Sequence, residues 1–271
     1  MTDTTGLSKL APRTEFQPFI QAYYLLEGAA HTVGGPGLSM DLWWLQGQTV
    51  STVQAGFGER RCGGALIGGT LTRMLSVSRR AATDGFGVSL APVVAPALFG
   101  IDASEITDAF VDLDYLLKRR LPHLSEQIFE AKSAPEKIRV FEHELLKLLH
   151  KQDAIDDRVQ HVIGRLNGSL QDASVDKLAR EIGYSRRRLV DLVQRSLGVS
   201  PKHLIQILRF RKALKLMERW SEPDWPSVVH ECGYVDQAHF IHHCRQFTGL
   251  SPRQYLAQRL FPPLLHQVPQ A

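Results

Sequence analysis

Cysteine is scarce in this sequence. Cys62, Cys232 and Cys244 are odd in number, far apart and without any CxxC spacing. That pattern excludes a disulfide framework and a zinc ribbon, and fits a reducing compartment. Long apolar runs are also missing: VSLAPVVAPALFGI is shorter than a bilayer-spanning helix and is interrupted by Pro92 and Pro96. The opening MTDTTGLSKLAPRTEF has no charged start followed by an apolar run, so no secretory signal is expected. A soluble, cytoplasmic protein with no membrane partner is the expectation. No GxSxG, Walker loop or GxGxxG sits in a supporting strand–helix context, so neither catalytic residues nor a cofactor are expected. The string HFIHHC places His239, His242 and His243 beside Cys244, but no HExxH pattern or second ligand cluster completes it. No metal is expected there.

What the chain does have is an uneven charge distribution. Residues 1–157 carry 15 Lys+Arg against 19 Asp+Glu, whereas the remainder carries 17 against 9, which gives net charges of −4 and +8. The basic segment is the carboxy-terminal one, and a basic segment suits a polyanionic partner. From Phe16 to about Ser89, short runs such as YYLLE, MDLWWLQ, GALIGG and MLSVSRR are separated by glycine-rich breaks. Short strands in a sheet or barrel-like domain are expected. From Val93 the apolar period lengthens, and SEITDAFVDLDYLLKRRL and PEKIRVFEHELLKLLHKQ read as amphipathic helices. In the second, Ile138, Phe141, Leu145, Leu148 and Leu149 form one stripe. The fold class expected is α+β: a flexible tail over 1–15, a mixed strand and helix regulatory domain over 16–152, an all-α domain over 158–260 and a tail over 261–271. KQDAIDD marks the boundary near Lys151 to Asp157.

The carboxy-terminal segment contains a repeat. When EIGYSRRRLVDLVQRSLGVSPKHL is aligned with ECGYVDQAHFIHHCRQFTGLSPRQYL, Gly183 matches Gly233, Tyr184 matches Tyr234, Gly198 matches Gly249, and Ser200-Pro201 matches Ser251-Pro252. Each unit has a short helix, a Gly-aromatic turn, a second helix, and Gly-x-Ser-Pro opening a third. In the first unit Leu178, Ala179 and Ile182 belong to the short helix, Gly183 supplies a positive φ at its end, and Ser185 caps the next. This is helix-turn-helix spacing, twice in register. Between the units, SPKHLIQILRFRKALKLMERW reads as a long helix, with Leu204, Leu208, Ala213 and Leu216 facing both.

In the first unit's second helix, Leu189, Leu192 or Val193, and Leu197 are needed for packing, leaving Arg186, Arg187, Val190, Asp191 and Gln194 outward. Three arginines stand at a helix amino terminus, where the macrodipole disfavours cations; a nearby phosphate would offset that cost. In the second unit Phe240, Cys244 and Phe247 point inward, leaving Gln237, Ala238, His239, Ile241 and His242 for a groove. Arginine can pair with guanine, glutamine with adenine, and an apolar side chain with the thymine methyl. Arg245, Lys202 and Arg253 suit backbone phosphates.

These motifs, from VDKLAREIGYSRRRL through LGVSPKHLIQILRFRKALKLM to GYVDQAHFIHHCRQFTGLSPRQYL, resemble the AraC/XylS-type transcription regulators across about Val159 to Arg259. The resemblance implies two recognition helices in successive major-groove faces of promoter DNA, with RNA polymerase as a further partner. Asp191 and His242 stand where many family members carry arginine, and Val229 where they carry alanine. The stretch GVSLAPVVAPALFGIDASEITDAFVDLDYLL resembles an amino-terminal domain in one branch of that family. This implies small-molecule sensing, homodimer formation, or both. Tyr23, Tyr24, Trp43, Trp44 and Phe57 are candidates to line an effector pocket, and equally candidates for ordinary core.

Two other classes compete. An alkyl-transfer DNA repair enzyme fused to such a reader would need a metal-poised cysteine cluster, whereas the amino-terminal half offers only Cys62. A helix-turn-helix module serving protein interaction is kept open by Asp191, whose charge repels phosphate.

Overall fold

The computed structural model describes residues 6–54, 58–91, 94, 98–118, 120–149, 157–171, 173–219 and 223–258, with side chains placed except at 29–33, 47–54, 58–63, 76–83, 157, 218–219 and 258. Its amino-terminal part is a six-stranded sheet of order β1-β2-β5-β3-β4-β6: β1 (Leu7–Leu10), β2 (Ile20–Gly34), β3 (Met40–Gln54), β4 (Gly58–Gly68), β5 (Leu75–Leu90) and β6 (Phe110–Asp112). Every neighbouring pair is antiparallel.

Four of these strands are longer than the sequence pattern suggested. Glycines that read as breaks lie inside strands, and Gly87 leaves room for the Trp43 ring on the neighbouring strand: a Cβ there would come within 2.7 Å of it. The first fifteen residues are also more than a tail, because Leu7–Leu10 pairs with β2 from Leu26 to Tyr23.

Successive side chains in a strand point to opposite faces, and the sheet uses both. One face presents Tyr23, Leu42, Trp44, Ile67, Phe86 and Val88 to a helical layer, α1 (Leu113–Leu117), α2 (Leu124–Glu130) and α3 (Ala134–Leu149). The stripe on α3 packs there through buried Phe141, Leu145 and Leu148. The opposite face buries a smaller cluster of Leu7, Ala22, Tyr24, Leu26, Leu45 and Leu66, with Trp43 against it.

The single helix expected over SEITDAFVDLDYLLKRRL is instead a 3-10 turn at Ala103–Ile106, then β6, then α1. Asp108 breaks it, holding φ at 53° while its carboxylate accepts from the backbone N–H and hydroxyl of Thr72. Those bonds compensate a backbone conformation that non-glycine residues adopt at a cost.

The carboxy-terminal part is all helix: α4 (Asp157–Gly168), α5 (Val175–Glu181), α6 (Arg186–Leu197), α7 (Pro201–Arg219), α8 (Trp225–Glu231), α9 (Gln237–Thr248) and α10 (Pro252–Gln258). The repeat is built as its residues dictate. Ser185 caps α6 by accepting from the Arg188 N–H, and Asp236 caps α9 by accepting from the His239 N–H. Both helices end on a left-handed glycine, Gly198 and Gly249, each at φ 77°. Along α7, Leu204, Leu208 and Ala213 are buried and Leu216 packs against the same core.

The two parts share that core and exchange specific bonds. Thr70 donates its hydroxyl to the Leu197 carbonyl at 2.7 Å, Thr107 donates to the Gly198 carbonyl at 2.8 Å, and the Met74 N–H donates to the Phe247 carbonyl at 2.8 Å. The carboxyl ends of α6 and α9 therefore both rest on the segment from Thr70 to Thr107.

Candidate nucleic-acid interface

In α6, Leu189, Val193 and Leu197 are fully buried, with Leu192 half-buried beside them. This leaves Arg186, Arg187, Asp191 and Gln194 exposed and Val190 half-buried. No acidic residue occupies the first turn of α6. Arg186 pairs at 3.7 Å with Asp176 on α5, across two exposed side chains, a contact worth little in water. Arg188, absent from the expected set, lies over the Tyr184 ring at 4.2 Å, and Arg158 lies over the same ring at 5.1 Å. The tyrosine of the Gly-aromatic turn thus holds two cations beside the amino end of α6, a cation–π role that spacing alone does not reveal.

In α9, Phe240, Cys244 and Phe247 are buried as the stripe required. Gln237, Ala238, His242 and Arg245 are exposed, while His239 and Ile241 are half-buried. His239 is drawn inward. The Val235 N–H donates to its Nδ1 at 3.5 Å, and its Nε2 lies 3.2 Å from Nε2 of buried His243, which also meets Gln206 at 3.3 Å. Burial, together with the neighbouring His239, His242, Arg209 and His203, pushes the His243 pKa down to about 4. His243 is therefore a neutral core residue near pH 7, which the bare string HFIHHC did not distinguish from its neighbours. Lys202, at the start of α7, and Arg253, at the start of α10, are both exposed.

Burial also pushes the Cys232 thiol up to about 12 and that of Cys244 to about 11, so both stay protonated. The Cys62 side chain lies outside the described residues. Among the described residues, no group of three or more His, Cys, Asp or Glu side chains is placed to hold a metal ion. None of their helices is long and apolar enough to cross a membrane.

The five aromatic pocket candidates do not converge. Phe57 lies outside the described residues. Tyr23 and Trp44 belong to the helix-facing core, where the Tyr23 hydroxyl donates to Glu142 at 3.0 Å and the Trp44 indole N–H donates to Ser125 at 2.9 Å. Tyr24 and Trp43 stack at 5.9 Å on the opposite face. Adjacent residues of one strand cannot line one pocket, so YY and WW were each split between two layers.

The capped, duplicated helix pairs joined by α7 define a double helix-turn-helix. A family model described as a helix-turn-helix domain matches residues 178–258. Over 113 residues the chain is 28% identical to the HTH-type transcriptional regulator GbdR of Pseudomonas aeruginosa, covering 41% of this chain and 30% of that protein. It is 26% identical over 207 residues to a probable thc operon regulatory protein of Rhodococcus erythropolis, covering 67% of this chain and 60% of that one. Among solved structures, ToxT from Vibrio cholerae O395 aligns over 89% of this chain and 98% of its own, at 13% identity and TM-score 0.47. The chain spans under a third of the length of the Pseudomonas regulator it matches.

Proposed function

We propose that this protein is a sequence-specific DNA-binding transcriptional regulator and not an enzyme. Its carboxy-terminal domain reads promoter DNA, and its amino-terminal domain senses a small molecule or mediates self-association. The observation that carries this reading is the duplication itself: two helices with equivalent amino caps and equivalent left-handed glycine ends, each presenting exposed polar residues at its amino end. A helix in the major groove presents its amino-terminal residues to base edges. Arg187, Val190, Asp191 and Gln194 form the reading set of α6, with Asp191 able to accept from cytosine N4; Gln237, Ala238, Ile241 and His242 form that of α9. Arg186, Arg245, Lys202 and Arg253 contact backbone phosphates. His239, tied to His243, orients the α9 surface more than it reads it. RNA polymerase and a second copy of the chain are the further partners this reading entails, in the cytoplasm.

Selection from random duplexes at near-physiological salt tests it, with the full chain and with Arg187→Ala and His242→Ala. The expected result is a bipartite motif with elements about one helical turn apart, relaxed at different positions by the two substitutions. An unenriched pool, with weak binding that vanishes as salt rises, would leave only phosphate attraction and refute sequence reading.

A further inference from the structure

Between the sheet and α7 lies a small polar cavity that opens to solvent. Its walls come from both domains: Lys9, Gln21, Tyr24, Ser39, Asp41 and Ser89 from the amino-terminal part, and Arg211 from the middle of α7. Two features of this wall are costly as they stand. Arg211 is buried, and its Nε has no hydrogen-bond partner; Asp41 is half-buried, and its buried Oδ1 has none either. The other needs of Asp41 are met by Ser39 and Ser89. Among the described residues no direct ion pair joins Asp41 to Arg211, although each feels the other's charge. A buried charge without a hydrogen-bonded partner is strongly unfavourable, and a direct pair across this space would be the ordinary remedy. Instead, a cation and a carboxyl group whose pKa is raised by burial face one cavity, each with an unused position.

That arrangement is complementary to a molecule carrying both an anion and a donor. Lys9 and Lys215 add to the positive potential around Arg211, and burial with these neighbours pulls the Lys9 pKa down. Burial lowers the Arg211 pKa only to about 10, so it stays charged at neutral pH. Resting on the reading of the amino-terminal domain as a sensor, we propose that this interdomain cavity binds a small carboxylic acid bearing an adjacent hydrogen-bond donor, of the α-amino or α-hydroxy acid class. Its carboxylate pairs with Arg211, and its ammonium or hydroxyl donates to Asp41. The site also touches the reader's support: Leu71 lines the cavity and exchanges backbone hydrogen bonds with Gly37, and the adjacent Thr70 holds the carboxyl end of α6. An occupant is placed to bias the seating of α6, and a ligand acts on the reader only through such a difference between two states.

The test uses the full chain without DNA. Its melting temperature and calorimetric titration are followed with the proteinogenic α-amino acids, lactate, malate and citrate at millimolar concentration, with acetate as a carboxylate lacking the donor. At least one acid of either class is expected to raise the melting temperature by several degrees, with acetate inactive. Arg211→Gln should weaken that binding by about a hundredfold or more. Asp41→Asn should weaken an amino acid by about tenfold or more while leaving a hydroxy acid within about threefold, which separates the two sources. Hydrogen exchange on the unmutated protein provides a readout independent of variant folding: an active acid should protect amides in both β3 and α7. No response across the panel, undiminished binding by Arg211→Gln, or protection confined to one domain would overturn the proposal. Duplex binding by the same preparation without additive is scored separately, so failure here and failure of the DNA-binding reading are told apart.

Discussion

Gly198 and Gly249 occupy the same place in the two repeats, and substituting each with alanine separates the cost of a backbone angle from the cost of a domain contact. Both are at φ 77°, where an L-residue is disfavoured by about 1–2 kcal/mol. Around Gly249 a Cβ would meet nothing within 4 Å, so Gly249→Ala should cost about that much and no more. At Gly198 the added carbon would overlap the Thr107 hydroxyl oxygen and come within 2.9 Å of the Ala103 carbonyl oxygen. Thr107 cannot simply swing away, because its hydroxyl lies 3.2 Å from the Ala103 carbonyl as well as 2.8 Å from that of Gly198. Relief requires α6 to back off the 3-10 turn, which adds an overpacking cost of about 1–3 kcal/mol and a lost hydrogen bond of about 1 kcal/mol. Gly198→Ala should therefore cost about 3–6 kcal/mol, roughly 2–4 more than its counterpart. Urea unfolding of the full-length variants measures the difference. Equal losses at the two positions would refute the claim that the first unit is seated on the amino-terminal domain.

Other consequences follow from the same geometry. For His243, the native protein binds a proton near pH 4 and an ordinary unfolded histidine near 6.5, so between these values the unfolded state holds more protons. Stability is full above about pH 6.5 and declines as pH falls toward 4, by at most about 3 kcal/mol; denaturant midpoints across that range should flatten in His243→Phe. Ser185→Ala and Asp236→Ala each remove a side-chain amino cap and should each cost about 1 kcal/mol by chemical denaturation, additively if the units are independent. Trp44→Ala empties a site ringed by Phe86 and Phe141 and frees Ser125, so a loss of about 3–5 kcal/mol is expected. Trp43→Ala, at a half-buried position, should cost visibly less.

The double helix-turn-helix was legible because its signals are local. Ser185, Gly198 and Gly249 act within one turn of their own position, and the inward stripe Phe240, Cys244, Phe247 follows from the helical period alone. The sheet was less legible. Glycine is an ambiguous mark, and only the facing Trp43 ring explains Gly87 as an interior strand residue. Asp108 stops a helix through Thr72, thirty-six positions away in sequence, so apolar periodicity could not report it. The seating of the helix-turn-helix units on the sheet domain was not legible for a related reason: Thr70, Met74 and Thr107 bond to main-chain carbonyls, and a carbonyl leaves no trace in residue identity. His243 shows the limit within a local pattern, since its burial depends on Gln206 and Tyr234 as much as on its own helix.

The short strand Leu7–Leu10 occupies the outer edge of the sheet, covering one side of β2. Just beyond it, Arg13 reaches the buried carboxylate of Glu142 on α3, so the segment is fastened at both the sheet and the helical layer. Cutting away the first fifteen residues would do more than trim an end. It would uncover a row of unpaired main-chain donors and acceptors along β2, a ready template for a strand from another molecule. A shortened chain should therefore aggregate through strand addition, and the few residues of β1 act as the sheet's guard against its own kind.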